Sequence, residues 1–306
     1  MINWFPGHMN KARKDLAEAL PKMDLLIEVL DARIPYSSEN PMIANIRRDK
    51  QTIKVLTKTD LADPVLTRQW QEYLEQEKGI KTIALTTNEA GKVRGLIKLC
   101  HEMVPNVSKS VHAIDVMIVG IPNVGKSTLI NTLAKRSVAK TGNEPAVTKG
   151  AQMIKLETGI MLHDTPGMLW PKLENQQGAY RLAVTGAIKD TAIDSTDIAD
   201  FAVEFLKDQY PEILKTHYKI ENIEKDSIDI LDDIAKQRGC VLSGRKVDYD
   251  RVSRLILTEI RSGKLGGLTL ETPAMMESEE ADLLLIEQEK AAKKAERKKK
   301  WKASKK

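Results

Sequence analysis

The chain has 306 residues, of which 42% are hydrophobic and 30% are charged, and it contains two cysteines. This composition is typical of a soluble globular protein with one large or two ordinary domains, and it excludes a disulfide framework and a four-ligand zinc site. No apolar run reaches the roughly 18–20 residues that a transmembrane helix needs, and the N-terminus resembles neither a signal peptide nor a transit peptide. We therefore expect a cytoplasmic protein with no membrane partner.

The formal net charge of +5 is unevenly distributed along the chain. Residues 290–306 hold ten Lys/Arg and one Glu, so the rest of the chain carries a net charge of −4. Basic tails of this kind usually bind nucleic-acid phosphates. The alternative is a solvated tail that has no partner.

Apolar runs alternate with helical patterns over the first half of the chain. The runs predict strands at 24–31, 52–57, 81–85 and 114–119, and a hairpin over 154–163. Helical patterns cover 10–21, 42–48, 64–79, 91–103 and 126–135. Strands that alternate with helices in this way predict an α/β fold with a doubly wound, mostly parallel sheet.

After residue 178 the pattern changes to helical periodicity, which continues to about residue 265. This predicts a separate all-helical domain without a strand of its own. Residues 271–280, which include Pro273, are predicted to form a linker. Residues 280–300 are prone to form a helix but are highly charged.

Residues 120–127 read Gly-Ile-Pro-Asn-Val-Gly-Lys-Ser and lie between a predicted strand and a predicted helix. This is the context in which the pattern forms a phosphate-binding P-loop rather than a chance glycine-rich turn. Lys126 is expected to reach the β- and γ-phosphates, and the Ser127 hydroxyl to bind Mg²⁺. The nucleotide-binding residues expected here are Asn123, Val124, Gly125, Lys126, Ser127 and Thr128.

Two later segments fit the switches of a nucleotide hydrolase. Asp164-Thr165-Pro166-Gly167 ends a predicted strand 37 residues after Ser127. Asp164 is expected on the Mg²⁺ side and Gly167 at the γ-phosphate, although the same tetrapeptide alone is an ordinary turn. Thr148 lies between the two motifs and can supply a second hydroxyl to Mg²⁺, which would order its loop in the triphosphate state. A plain loop threonine is the alternative.

Thr57-Lys58-Thr59-Asp60 follows a predicted strand, where a doubly wound sheet places its ligand loops. Asp60 can accept two hydrogen bonds from guanine, and adenine lacks both donors. Lys58 would pack its stem along the base, and the turn that contains Thr86 and Thr87 is a weaker candidate for contact with guanine. The tetrapeptide is not diagnostic alone, so an ATPase is an alternative that Asp60→Asn would distinguish.

The candidate base loop precedes the P-loop, which reverses the order of an ordinary GTPase. This order, together with residues 4–9 (WFPGHM) and residues 263–271 (GKLGGLTLE), resembles the YlqF/RbgA family of circularly permuted ribosome-assembly GTPases. The resemblance covers about residues 2–272. It implies a protein that binds GTP or GDP, the precursor of the large (50S) ribosomal subunit and its rRNA, and that is monomeric off the ribosome. Hydrolysis of GTP would accompany release from the precursor.

The resemblance also divides the chain. It implies a circularly permuted P-loop GTPase domain over residues 1–178 and a helical, rRNA-binding domain over residues 179–272. A linker and basic tail over residues 273–306 complete the expected organisation. The rival interpretation is a nucleotide-gated RNA-binding module in which hydrolysis is incidental.

The family resemblance implies functional roles for several further residues. Asn123 matches the asparagine that helps to hold K⁺ in potassium-activated relatives, so K⁺ is a candidate cofactor beside Mg²⁺. Met168 stands where Ras-like proteins have the catalytic glutamine, and a methionine cannot orient water. The resemblance implies that His8 positions the attacking water, with stimulation by ribosomal particles. The alternative is that residues 4–9 are a structural plug against the GTPase core.

Two positions depart from the family pattern. Thr57 replaces the usual asparagine of the base loop, which normally ties that loop to the P-loop as well as to the base. A hydroxyl can replace part of this function, so we expect guanine preference to persist with weaker affinity. Ala146 replaces a common glycine before the switch threonine, which would stiffen that loop.

Overall fold

A six-stranded sheet organises the first half of the chain. Its strands are β1 (Leu25–Asp31), β2 (Thr52–Thr57), β3 (Ile80–Ala84), β4 (Ile114–Gly120), β5 (Gln152–Lys155) and β6 (Ile160–Asp164). The order across the sheet is β3-β2-β1-β4-β6-β5, and only the β5–β6 pair is antiparallel. The predicted doubly wound sheet and its hairpin are confirmed.

The structure is a computed structural model that describes residues 8–86, 89–108, 112–139, 152–170, 173, 175–188 and 194–303. Its first helices are α1 (His8–Ala19), α2 (Pro41–Arg47), α3 (Pro64–Leu74), α4 (Ala90–Met103), α5 (Pro105–Ser108) and α6 (Lys126–Ala134). The later ones are α7 (Gln176–Val184), α8 (Ser195–Gln209), α9 (Pro211–Thr216), α10 (Ser227–Arg238), α11 (Tyr249–Arg261) and α12 (Pro273–Ala303). Within the described ranges, no helix has the length and hydropathy to cross a bilayer.

Local sequence signals explain where α2 and α3 begin. The Asn40 side chain accepts a hydrogen bond from Met42 N, and the Asp63 side chain accepts from Val65 N and Leu66 N. Each cap is followed by a proline in the first turn, where its fixed φ suits a helix and no N–H is needed. α3 ends at Leu74, earlier than the predicted residue 79, because the chain must turn to enter β3.

Apolar side chains cover both faces of the sheet, which explains why β1, β2 and β4 are nearly continuous apolar runs. On one face of the sheet, the apolar side chains form a single large cluster with those of the helical domain. The other face carries two smaller clusters: Leu16, Leu20, Leu26, Met117 and Met168 belong to the first, and Leu30, Leu56, Trp70, Leu74 and Met276 to the second. Alternation along β1 places Glu28 between Leu26 and Leu30 on this face.

The predicted linker over residues 271–280 is wrong. Helix α12 begins at Pro273, and Met276 is fully buried in the cluster that contains Trp70. A proline interrupts a helix only beyond its first turn, so Pro273 marks a start rather than a break. The all-helical character predicted for residues 179–265 is confirmed, apart from an isolated β-bridge between Val241 and Val247.

Candidate nucleotide site

The base loop and the P-loop meet at one edge of the sheet. β1 separates β2 from β4, and the parallel strands bring the carboxyl ends of all three to this edge. The Thr57 hydroxyl contacts the carbonyl of Val124, and the Lys58 ammonium donates to the carbonyl of Asn123 (2.6 Å). Two loops 65 residues apart therefore form one continuous surface.

Lys58 is fixed by a buried charge cluster that the motifs did not reveal. Lys58 Nζ donates to Asp31 Oδ2 (2.8 Å), and Arg33 donates to the same carboxylate through Nη2 (2.7 Å) and Nε (2.9 Å). Burial would raise the pKa of Asp31, but Arg33 and Lys58 hold it below its ordinary value. The signal available in the sequence was a pair of opposite charges directly at the end of an apolar strand.

The residues expected to bind guanine differ in their surroundings and in how much of them the structure describes. Asp60 is exposed beyond Lys58, so its carboxylate is accessible to a base at this edge. The backbone N–H of Thr86 donates to Glu89 Oε2 (2.9 Å), which occupies one donor of the second base turn. Thr87 lies outside the described residues. The guanine-reading role of these positions stays a prediction.

The P-loop has the backbone that phosphate binding requires. Asn123 (φ 62°) and Gly125 (φ 89°) are left-handed, a conformation that turns successive N–H groups toward a common point. Lys126 begins α6, so the helix N-terminus adds a favourable potential for an anion. Ser127 is half-buried and Thr128 is exposed in the first turn of this helix. The loop can therefore cradle phosphates.

The two groups predicted for phosphate and metal contact each other. The Lys126 ammonium donates to Asp164 Oδ1, and both side chains are buried. Burial lowers the pKa of Lys126, and Asp164 opposes this shift. Asp164 Oδ2 is buried without a hydrogen-bond partner among the described residues. An unsatisfied carboxylate oxygen close to the Ser127 helix start fits Mg²⁺, which prefers oxygen ligands; Thr148, the third expected ligand, lies outside the described residues.

The switch II turn (residues 164–167) packs closely on the P-loop. A Cβ added to Gly167 would lie 3.1 Å from Pro122 N, and Met168 N donates to the carbonyl of Gly120 (3.3 Å). Asn40 Nδ2 donates to the Met168 carbonyl (3.0 Å). The Met168 side chain is buried in the apolar cluster that also contains Leu16 of α1.

The structure describes the side chain of Asn123 but only the backbone position of His8. Asn123 Nδ2 donates to the carbonyl of Gly186 (2.8 Å), so the P-loop contacts the turn after α7. That turn is also held by Arg261, which donates to the carbonyls of Ala183 (2.8 Å) and Val184 (2.9 Å). His8 begins α1, but its side chain lies outside what the structure describes.

Residues 263–271, the C-terminal strap, cross the base loop. Leu268 N donates to the carbonyl of Leu61 (2.9 Å), and Asp63 N donates to the hydroxyl of Thr269 (3.1 Å). The buried Glu271 carboxylate accepts from the backbone N–H of Ser37 (3.0 Å). The strap thus ties the end of the helical domain to the loop that carries Asp60.

Comparison with known proteins shows which family of proteins this chain resembles. The family described as "50S ribosome-binding GTPase" matches residues 115–242, from the strand before the P-loop into the helical domain. "Ribosome biogenesis GTPase A" of Bacillus cereus is 45% identical over 295 residues, which is 94% of this chain and 99% of that protein. Its Thermotoga maritima counterpart is 31% identical over 272 residues, with 89% and 95% covered. The crystal structure of GNP-bound YlqF from T. maritima has a TM-score of 0.61 at 29% identity and covers 86% of this chain and 98% of that one.

Proposed function

The chain belongs to the ribosome biogenesis GTPase A family, and on that premise we propose that it binds the precursor of the large ribosomal subunit in its GTP state and leaves after hydrolysis. It is a GTP hydrolase of ribosome assembly that uses Mg²⁺. The bound ion would neutralise phosphate charge during hydrolysis. We further propose that it acts in the cytoplasm as a monomer when it is off the ribosome.

The contact between the P-loop and the helical domain carries this proposal. Asn123 of the P-loop donates to Gly186, and Arg261 of α11 donates to the two carbonyls that end α7. A rearrangement of the P-loop around the phosphates can therefore change the orientation of the helical domain through these hydrogen bonds. Switch II also leads directly into α7, so its reordering on γ-phosphate loss can be transmitted as a rotation.

The basic end of α12 supplies a surface for rRNA. Lys290, Lys293, Lys294 and Arg297 are exposed on this helix. Lysine and arginine side chains that neutralise phosphates release counter-ions, so binding through this helix should weaken steeply with salt. The rest of the chain is mildly acidic, so the net basic charge is concentrated in this helix and the tail that follows it.

We assign the positioning of the attacking water to His8. Met168 is buried away from the solvent, and a thioether cannot orient water. Leu16 of α1 packs in the same cluster as Met168, so the helix that begins at His8 is anchored beside switch II. A neutral histidine can orient water through a hydrogen bond. Lys126 would stabilise the phosphate charge, and a K⁺ ion near Asn123 would add to this.

Binding of the two nucleotide states to the precursor particle tests the proposal. Full-length protein loaded with a non-hydrolysable GTP analogue or with GDP is sedimented with purified precursors at several salt concentrations. We expect the GTP-analogue form to bind at least about tenfold more tightly, which corresponds to about 1.4 kcal/mol of coupling. Equal affinity of the two forms would contradict a nucleotide-controlled release. Mature subunits serve as the control particle.

A further inference from the structure

The side chain of Asn40 joins helix α2 to the end of the switch II turn. Asn40 Oδ1 accepts a hydrogen bond from Met42 N (3.0 Å) and so caps α2, while Asn40 Nδ2 donates to the Met168 carbonyl (3.0 Å). Asn40 lies 128 residues before Met168 and belongs to none of the nucleotide-binding motifs of the sequence. The fold therefore brings a residue from outside the motifs to switch II.

The orientation of the Asn40 amide is fixed by its two partners. A backbone N–H can only donate and a backbone carbonyl can only accept, so the amide oxygen faces Met42 and the amide nitrogen faces Met168. The side chain is fully buried, so bulk water cannot replace either partner. The backbone N–H of Asn40 donates in addition to Glu28 Oε1 (3.3 Å). The Nδ2 group is therefore committed to switch II.

The loop that leads to Asn40 is itself anchored on two sides. Ser38 Oγ accepts from the backbone N–H of Asp31 (3.0 Å), which ends β1. The Glu271 carboxylate of the C-terminal strap accepts from Ser37 N (3.0 Å) and from the Ser37 hydroxyl. The sheet and the strap together therefore determine where the Asn40 amide lies.

The switch II turn contains a glycine and depends on its neighbours for its conformation. Gly167 has no side chain, so its backbone has more freedom than that of other residues. The turn is anchored at its start, because the Thr165 hydroxyl donates to a carbonyl of β4 (3.0 Å). At its end, Met168 N donates to the Gly120 carbonyl (3.3 Å), and the Met168 carbonyl accepts from Asn40. Gly167 therefore lies between two anchored residues.

We propose that Asn40 is a positioning residue for GTP hydrolysis, which fixes the Gly167 backbone relative to the γ-phosphate. Met168 follows Gly167 directly, so a shift of the Met168 peptide group changes the direction in which the Gly167 backbone points. Backbone groups that are already aimed at the reacting phosphate lower the barrier, because they need no reorganisation during the reaction. Asn40 acts through Met168 and needs no contact with the nucleotide.

This role predicts an effect that depends on the γ-phosphate. Negative charge is spread over the γ-phosphoryl oxygens in the transition state, so a misplaced Gly167 should slow hydrolysis more than it weakens binding. GDP lacks the γ-phosphate and should bind equally well without the Asn40 anchor. A purely structural role would instead lower the stability of the fold and the affinity for both nucleotides together.

Asn40→Ser removes the anchor but keeps the helix cap. Serine is a preferred N-cap residue whose hydroxyl can accept from Met42 N, but it has no amide nitrogen to reach Met168. We expect kcat for GTP hydrolysis to fall about tenfold, which corresponds to about 1.4 kcal/mol and matches the loss of one hydrogen bond. KM for GTP and the affinity for GDP should each change by less than about threefold.

The matched control is Asn175→Ser, since Asn175 makes the same two kinds of hydrogen bond. Its Oδ1 accepts from Gly178 N (2.9 Å) to cap α7, and its Nδ2 donates to Glu279 Oε2 (2.6 Å). Neither partner belongs to the switch II turn. The control should therefore lose a similar amount of thermal stability to Asn40→Ser but keep the kcat of the unmodified chain.

An unchanged kcat in Asn40→Ser, or an equal fall of kcat in Asn175→Ser, would overturn the proposal. A GDP affinity that falls as much as kcat would reduce Asn40 to a residue that only stabilises the fold. If thermal unfolding shows that Asn40→Ser is not folded, Asn40→Asp keeps the size and the cap but turns an acceptor toward Met168, and the same outcomes apply. These measurements use no ribosomal particles, so their result does not depend on the proposed role on the precursor.

Discussion

Gly267→Ala should detach the C-terminal strap from the base loop. A Cβ at residue 267 would lie 2.5 Å from the carbonyl oxygen of Ala62 and 3.0 Å from its carbonyl carbon. Both atoms belong to the backbone, so no side chain can rotate away to make room. The strap must lift instead, and the hydrogen bond from Leu268 N to the Leu61 carbonyl is then lost or stretched.

The magnitude follows from these two effects. Overpacking of a close contact costs about 1–3 kcal/mol. Loss of one backbone hydrogen bond adds about 0.5–1.5 kcal/mol. We therefore expect the free energy of unfolding to fall by about 1.5–4.5 kcal/mol. GDP affinity should also fall, because the displaced loop carries Asp60 only a few residues before the contact.

Urea unfolding and a titration with fluorescent GDP measure both quantities. Gly95→Ala is the matched control, because a Cβ there meets only Ile83 Cδ1 at 3.7 Å, an ordinary contact inside α4. It should leave GDP affinity unchanged and stabilise the chain by up to about 1 kcal/mol, as alanine does in a helix interior. Unchanged stability and unchanged GDP affinity in Gly267→Ala would refute the close docking of the strap.

Substitutions at three other positions probe the site. Asp60→Asn should shift preference from GDP to xanthosine diphosphate in competition binding; no shift would instead favour an ATPase. Thr57→Val keeps the shape but removes the hydroxyl that reaches the Val124 and Leu30 carbonyls, so urea unfolding should show a loss of about 1–3 kcal/mol. Met168→Ala should cost about 2–5 kcal/mol by emptying part of a buried cluster. Met168→Gln should not raise the intrinsic GTP hydrolysis rate in single-turnover assays, and an increase would contradict the inward position of this side chain.

The sheet and the order of its motifs could be predicted because the signals are local. Strands β1, β2 and β4 are short apolar runs, and the P-loop stands between a strand and a helix as its pattern requires. The tie between Thr57 and the P-loop also matched the expectation for a hydroxyl in place of asparagine. Local patterns therefore predicted the strands and the sheet edge at which the base loop and the P-loop meet.

Contacts between distant segments could not be predicted in this way. The strap meets Leu61 and Ser37 through backbone and carboxylate hydrogen bonds that leave no periodic pattern. The sequence around Pro273 predicts a linker, because nothing nearby in sequence reveals that Met276 is buried in the same cluster as Trp70. The cluster of Asp31 with Arg33 and Lys58 likewise depends on two strands being adjacent.

Ribosome-stimulated GTP turnover tests the central claim most directly. Turnover of the full-length chain and of its His8→Ala variant is measured with and without large ribosomal subunits, in K⁺ and in Na⁺. We expect slow hydrolysis alone, strong stimulation by the subunits in K⁺, and loss of most of that stimulation in His8→Ala with little change in GTP affinity. Hydrolysis that is equally slow with and without subunits would contradict a ribosome-responsive GTPase, and full stimulation of His8→Ala would contradict the role assigned to that histidine.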